Sequence, residues 1–576
     1  MSTPFYDLAS LVIQPSGVKA QKVYAQKPMT TDGQLTFSRS TAATRVGPDG
    51  LIEKVRTNLV LQSNTFSDAV WTKSNVTLTS GQVDPNGGTS ATRAQYSGVS
   101  YILQVPSTSF ATASIYIRAT SGTASIRIAD SNGSFATTYN LTETWQRISS
   151  SGSAMAGISI DSFIGGSWTA QDVIIAFAQF ETGDIATNYI PTTTTAVSVG
   201  PVANLPRLNY PINSDGSVGC PRLLLEPQRQ NVCLWSEQID NAGWTKINAP
   251  TITTNIATAP DGYGGADGIQ DTTGGNSKGI RQAFSVSANS TNTVSVFVKK
   301  ETTQTNFGGL ALTYTGGTAI KYAYGIVNPI AGTIVVSSDS VIGATSTKVE
   351  DYGDWWRFSL TATDNGSNTT LQIVYYATIS TNGTSTGVGT GSVRTVWGFQ
   401  LEIGAAYASS YVNTLGAAVT RLSDACYKAG ISSLIGQTEG TLFCEISGES
   451  LQENSRYMSI SDFADPNKRL TIYQSVPVTR LINVYCSAGA TFNITYSPPA
   501  GTLKIAVGYK SGDYVLYVNG VNAATSTESA VVACSDLGLG VNEYLGTTNP
   551  PSVGYSQALL FPTRLTNAQL EELTTL

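Results

Sequence analysis

The sequence contains no histidine. That excludes histidine-based catalytic triads, a histidine general base and every zinc site that uses imidazole. Charge is scarce. Only 12% of the 576 residues are Asp, Glu, Lys or Arg, about half the ~25% of an ordinary globular chain. The net charge of −6 and the pI near 5.0 argue against a broad nucleic-acid footprint. The longest apolar run lies near Val173–Ala178, far short of the ~20 residues of a membrane span. Met1–Leu11 has neither a basic start nor a long apolar stretch, so no secretory signal is visible. Six cysteines, Cys220, Cys233, Cys426, Cys444, Cys486 and Cys534, form no CxxC pair, which weakens metal and redox readings. They read as small buried apolar residues of a protein made in a reducing compartment. A Cys444–Cys534 bridge stays open as an alternative.

Thr, Ser, Asn and Gly fill the space that charge leaves. This is the composition of many short strands with hydroxyl-bearing outer faces, joined by turns. At ~100–200 residues per domain, the length suggests three or four domains with ample core.

Internal similarity is the main signal. Arg56-Thr57-Asn58-Leu59-Val60-Leu61-Gln62-Ser63 is answered by Arg229-Gln230-Asn231-Val232-Cys233-Leu234-Trp235-Ser236. Trp71-Thr72-Lys73 matches Trp244-Thr245-Lys246, and Ser114–Arg118 matches Ser295–Lys299. Trp145–Ser149 then matches Trp355–Ser359, and Gln179–Gly183 matches Gln400–Gly404. A tyrosine follows each last block, Tyr189 and Tyr411. The blocks alternate polar and apolar residues, and turns such as Asp84-Pro85-Asn86-Gly87-Gly88 separate them. Each copy reads as an antiparallel β-sandwich.

Connectors with Pro48-Asp49-Gly50 and Ser214-Asp215-Gly216 turns precede each copy. A degraded third form surrounds Val419-Thr420-Arg421-Leu422. In the last stretch, Lys504–Tyr509 and Tyr514–Val518 read as a hairpin followed by an Asn519-Gly520 turn. Leu565–Leu573 is the one good helix, with a Thr566/Gln569 capping box. The expected division is an N-terminal attachment segment and hairpin connector (1–57), a first sandwich (58–195) and a connector (196–230). A second sandwich (231–415), a third connector (416–437) and a final sandwich (438–576) follow. The fold class is all-β, with tandem jelly-roll modules.

Leu35–Thr41, Gly50–Glu53, Asn58–Ser63 and Leu223–Asn231 together resemble a family of tailed-bacteriophage structural proteins, many from phages of gut bacteria, including crAss-like phages. The resemblance runs in patches over roughly residues 8–430. The paired sandwiches are similar to carbohydrate-binding modules of jelly-roll type. The Tyr514–Gly520 hairpin and the closing helix resemble the concanavalin/laminin-G class. What the resemblance implies is a head or tail fibre or decoration protein, located in the virion after synthesis in the host cytoplasm and release by lysis.

Trp71 and Trp244, matched in both copies, read as core. Glu181 and Glu402 could pair as glycosidase carboxylates, but they lie in different modules. They read better as structural residues held by Arg147 or Arg357. Ligand candidates are aromatics that break the repeat, namely Trp168, Trp235, Tyr352, Trp355 and Trp356. Flat rings on exposed loops stack on sugar C–H faces. Asp84, Asp261, Asp267 and Asp271 sit in Gly-rich loops, without the spacing of a calcium loop, and read as turn formers. The Gly387–Gly391 string lacks a following helix, so it is not a phosphate cradle. No catalytic residue, metal or cofactor is expected.

Three functional readings differ in class. The first is a non-enzymatic virion appendage that adheres to surface glycans or mucus. The second is a polysaccharide depolymerase, which needs a carboxylate pair about 5–10 Å apart. The third is a cellular surface adhesin. Expected partners are further copies of the chain and a capsid or tail protein, with no nucleic acid and no membrane. A trimer is expected by analogy with phage fibres. The strand-like pieces Ala9–Ile13 and Lys22–Ala25, unable to close a core alone, read as an edge for such a partner.

Overall fold

Period-two alternation becomes strand almost everywhere, as the β-branched and hydroxyl-rich composition requires. Strands account for 53% of the chain and helices for 4%, and every strand pairing is antiparallel among the described residues. A computed structural model describes residues 3–576 except 16, 107, 109, 153–154, 214, 272–275, 304–306, 338–339, 343, 365, 380–390, 449–454, 476–480, 488–490, 499–500, 532 and 542–549. The Gly387–Thr390 part of the glycine string lies outside the described residues. The chain divides into two units. One comprises Lys54–Gly200 with Tyr263–Gly265, the other Met1–Glu53, Pro201–Gly262 and Ala266–Leu576.

In the first unit, one long strand, Ala91–Gln104, serves both halves of a sandwich. Thr92–Tyr96 pairs with Gln171–Ile175, and Tyr101–Gln104 pairs with Ile158–Asp161. Gly98, at φ +66°, lies between the two pairings, where an L side chain would be strained. Trp71, Ile115, Ile160, Ile175 and Phe180 fill the space between the halves. Trp71 is 1% exposed.

The second unit repeats this plan with separate strands. Thr245–Ile247, Gly279–Ser285, Thr370–Ile379, Phe307–Thr315, Lys321–Asn328 and Thr333–Val336 form one sheet. Thr251–Ala257, Ala266–Gln270, Val393–Ile403, Thr291–Lys299, Trp355–Thr363 and Ala344–Tyr352 form the other. Trp244, 2% exposed, sits in the core between them.

The matched residues make matched bonds. Asn58 Nδ2 donates to the Ala178 and Ile190 carbonyls, and its Oδ1 accepts from the Val60 and Phe180 amides. Asn231 does the same with Phe399, Val412, Cys233 and Leu401. Trp71 Nε1 donates to the Gln62 carbonyl at 3.1 Å, and Trp244 Nε1 to the Trp235 carbonyl at 3.0 Å. Each asparagine satisfies four buried backbone groups that would be costly to leave unpaired.

A further sandwich completes the second unit, and its strands come from far apart in sequence. One sheet runs Arg207–Asn209, Arg222–Leu225, Val553–Phe561, Glu439–Ser447, Leu503–Lys510, Tyr514–Val518 and Val521–Ser526. The other contains Lys22–Tyr24, Gln34–Ser38, Ala425–Lys428 and Asp536–Leu539, and continues through Ser455–Asp462 and Asp465–Gln474. Leu11–Ile13 adds to Val553–Phe561, with Leu11 opposite Leu560. The segments 1–57 and 196–230, expected as an N-terminal attachment segment with a hairpin connector and as a connector, thus supply strands to this sandwich. Leu11, Val12 and Ile13 are buried, and their backbone is paired within the chain, so they present no open edge. The closing helix, Asn567–Thr574, has the expected capping box.

All six cysteines are free. Five are buried and Cys220 is exposed. The Cys444–Cys534 bridge is not formed. Among the described residues no helix is long and apolar enough to cross a membrane.

Candidate functional site

The second unit encloses a cavity of about 370 Å³. Pieces of chain far apart in sequence bring its walls together. Tyr210 and Ile212 follow the strand Arg207–Asn209, and Arg222 opens the strand that leads to Glu226. Lys348, Glu350, Asp351 and Tyr352 end one strand of the second sandwich, and Arg357 lies on the next. Tyr407–Ser410 is the loop after Val393–Ile403. Ser447 and Ser552–Gly554 come from neighbouring strands of the final sandwich.

Behind the wall lies a buried ionic network. Glu226 accepts from Arg207 at 2.7 Å, from Arg421 at 2.8 Å, and from the Ser410 amide and hydroxyl at 2.8 and 2.6 Å. Asp424 takes Arg39 at 2.9 Å and also pairs with Arg207. Burial alone would raise the Glu226 pKa. Arg421, Arg207 and the Ser410 bonds outweigh it and hold the carboxyl well below the usual carboxylate range. Burial pulls Arg39 down to about 10 against the opposing pull of Asp424. The network orders the loop and strand ends that form the wall, and Glu226 is too fully engaged to move a proton.

The other wall carboxylates are also engaged. Glu350 lies 3.1 Å from Lys348 and 3.8 Å from Arg357. Burial pushes its pKa up, but those two cations outweigh the push and leave it lowered. Asp351 accepts from Lys300 at 2.7 Å. Tyr407 is 8% exposed, and burial raises its pKa to about 12. Among the described residues the Tyr407 hydroxyl has no hydrogen-bond partner. Arg222 is half-buried, and its Nη1 donates to the Ser447 hydroxyl at 2.5 Å.

Of the five aromatics selected from the sequence, only Tyr352 lines this cavity. Trp355 is 3% exposed and packs with Phe297, Trp397, Tyr411 and Ile52, so it offers no open face. Trp356 points to the opposite side of the same strand and packs on the sandwich core. Its Nε1 donates to the Pro329 carbonyl, and Lys300 sits 3.9 Å from its ring centroid. Trp235 lies on Gly243 and Gly416 against the core. Trp168, in the first unit, is half-buried in a short hairpin beside Phe163. Trp235, Trp355 and Trp356 are therefore not assembled into one platform.

Glu181 and Glu402 are buried but not held as expected. Glu181 accepts from the Thr187 amide, the Thr187 hydroxyl and Gln179, whereas Arg147 donates to Ser114. Glu402 accepts from the Ser409 amide and hydroxyl, with Arg229 at 3.8 Å, and Arg357 donates to the Ser409 carbonyl. Short loops reach these carboxylates before an arginine does. Asp84 caps its own turn through Asn86, Gly88 and Ser90. Asp267 holds the Ile239 and Asn255 amides, and Asp271 accepts from Thr378. Asp261 is buried. Among the described residues no group of three His, Cys, Asp or Glu could hold a metal.

No protein-family model matches the chain, and no curated protein matches it. Solved structures give weak likenesses. The CBM40 of Ruminococcus gnavus IT-sialidase bound to α2,6 sialyllactose has a TM-score of 0.23 at 13% identity, over 25% of this chain and 91% of that one. The CBM22-1-CBM22-2 tandem of Paenibacillus barcinonensis Xyn10C scores 0.21 at 11% identity, over 61% and 98%. Mouse laminin alpha1 domains LG4-5 score 0.17 at 11% identity, over 55% and 96%. Likenesses of this strength assign neither ligand nor role.

Proposed function

We propose that the chain is a non-catalytic appendage protein of a tailed-phage particle that binds glycan in the cavity beside Glu226. The cavity itself carries this reading. Tyr210, Tyr352 and Tyr407 offer planar rings and hydroxyls, while Ser409, Ser410, Ser447 and Ser552 offer further hydroxyls. Rings that cover sugar C–H faces, with a few polar groups to fix hydroxyls, suit a polyhydroxylated ligand. The volume lies toward the low end of the ~300–1,000 Å³ usual for ligand pockets, which suits the end of an oligosaccharide. Each wall carboxylate is tied to a cation, which disfavours acid–base hydrolysis. The virion setting rests on the sequence resemblance. With Leu11–Ile13 paired within the chain, a trimer rests on the fibre analogy alone.

A glycan array probed with the full chain tests binding. Retention on at least one glycan class is expected, lost in Tyr352→Ala, with no new reducing ends released. Absence of any retention overturns the glycan reading. Sustained release of reducing ends overturns the non-catalytic one. Mass spectrometry of purified particles tests the virion setting.

A further inference from the structure

We infer that the cavity takes an acidic sugar, with Arg222 as the group that receives the ligand carboxylate. The inference rests on the glycan reading above and narrows it to one substrate class. The wall carries three carboxylates, and each has a cation within 3.1 Å: Arg207 and Arg421 for Glu226, Lys348 for Glu350, Lys300 for Asp351. Arg222 differs. Among the described residues it pairs with no carboxylate, and its one hydrogen bond goes to the neutral Ser447 hydroxyl. A guanidinium has five N–H donors in a planar fork matched to a carboxylate. Arg222 thus keeps unused donors and an uncompensated positive charge on a cavity wall.

A second, independent feature points the same way. Tyr407 lines the same wall, and among the described residues its buried hydroxyl has no hydrogen-bond partner. A buried polar group left unpaired is costly, and native structures usually satisfy it. A carboxylate or ring hydroxyl of the ligand would accept its proton. The carboxylates already on the wall do not repel an acidic ligand strongly, because the cations beside them neutralise their charge. The chain as a whole is net negative, so this local positive charge selects a ligand where a general electrostatic pull would not.

Calorimetry on the full chain distinguishes the possibilities. The probes are uronate oligosaccharides, such as oligogalacturonates and hyaluronan fragments, together with their carboxyl-reduced counterparts. The wild-type chain should bind an acidic probe about ten- to a hundredfold more tightly than its reduced form, the range of a charge-assisted hydrogen bond. Added salt should narrow the gap. Arg222→Gln should abolish the preference, bringing the acidic probe to the affinity of its reduced form. Arg222→Lys should keep part of it, because a point charge lacks the fork. Equal affinity of the wild-type chain for both probes overturns the acidic-ligand inference and leaves the glycan reading standing. No binding of either, together with an empty glycan array, overturns both. A preference that survives in Arg222→Gln, with the melting temperature unchanged, overturns the role of Arg222.

Discussion

The two repeated sandwiches share a closing scaffold and differ on one outer face. In the first, Ala176, Phe177, Ile174 and Ala91 form a small cluster with half-buried Tyr116, Trp145 and Tyr189. The matched strands of the second bury Phe297, Trp355, Trp397 and Tyr411 together with Ile52 and Ala259. Both carry a β-bulge at the same place. Pairing shifts between Ser114 and Tyr116 in one copy, and between Ser295 and Phe297 in the other. The bulged residue is Phe177 at φ +59° in the first copy and Gly398 at φ +66° in the second. The bonds that close the sandwich are held fixed, while side chains on the outer face follow what covers that face. The second copy also meets the buried network around Glu226, which the first copy lacks.

That network gives the largest expected effect. Removing one member of a buried ionic cluster leaves its partners uncompensated and costs about 3–5 kcal/mol. Glu226→Ala should lower protection from hydrogen exchange in Arg222–Leu225 and Val393–Ile403, and leave Ala91–Gln104 unchanged. Equal loss in both sandwiches would break the contrast.

Acid tests the same contrast without mutation. The folded Glu226 pKa is depressed, because Arg421 and Arg207 outweigh burial. Its contribution to stability is therefore complete above the unfolded value of about 4.3 and drains away as pH falls below it. In the first unit, Asp84 and Asp172 are also lowered, by hydrogen bonds from Ser90 and Arg93 respectively, and Asp172 lies at a solvent-screened position. Exchange measured from pH 6 downward should show the Glu226 region loosening first.

The shared scaffold makes the opposite demand. Asn58→Ala and Asn231→Ala each orphan the same four backbone groups, and each should lose about 1–3 kcal/mol in denaturant unfolding. Unequal losses would mean that the two copies share geometry but not energetics.

These asparagines also show why the repeat was legible. The matched residues, Asn58/Asn231, Trp71/Trp244 and Gln179/Gln400, each make a side-chain bond to a particular backbone group. Few residue types can make such bonds, so the letters persist. The pairing of Leu11–Ile13 with Val553–Phe561 left no such mark, because a strand pairs through its backbone and any apolar alternation serves. The site was legible only in Tyr352. Glu226 lay within the quoted Leu223–Asn231 signature, and Arg421 within the degraded connector. In a chain with so little charge, arginines repeated in apolar connectors were the available signal for a buried network. Tyr407 and Arg222 carried no local pattern, since their role comes from walls brought together by folding.

The smallest effect concerns the bulge, and there the sign carries the information. In an ordinary strand, glycine is less stable than alanine by roughly 0.5–1 kcal/mol, because it loses more backbone freedom. At φ +59° an L residue instead suffers about 1–2 kcal/mol of clash between Cβ and the carbonyl. Phe177→Ala and Phe177→Gly both remove the ring that stacks on Tyr189 at 4.7 Å, so that loss cancels between them. Phe177→Gly should therefore be the more stable of the two by about 0.5–1 kcal/mol, an inversion of the usual order. Gly398→Ala should be destabilising for the same reason, because its new Cβ would also lie 2.9 Å from the Phe297 ring. Paired denaturant curves for the three variants decide the matter. If Phe177→Ala proves the more stable, the first copy does not hold the left-handed bulge that the second builds with glycine.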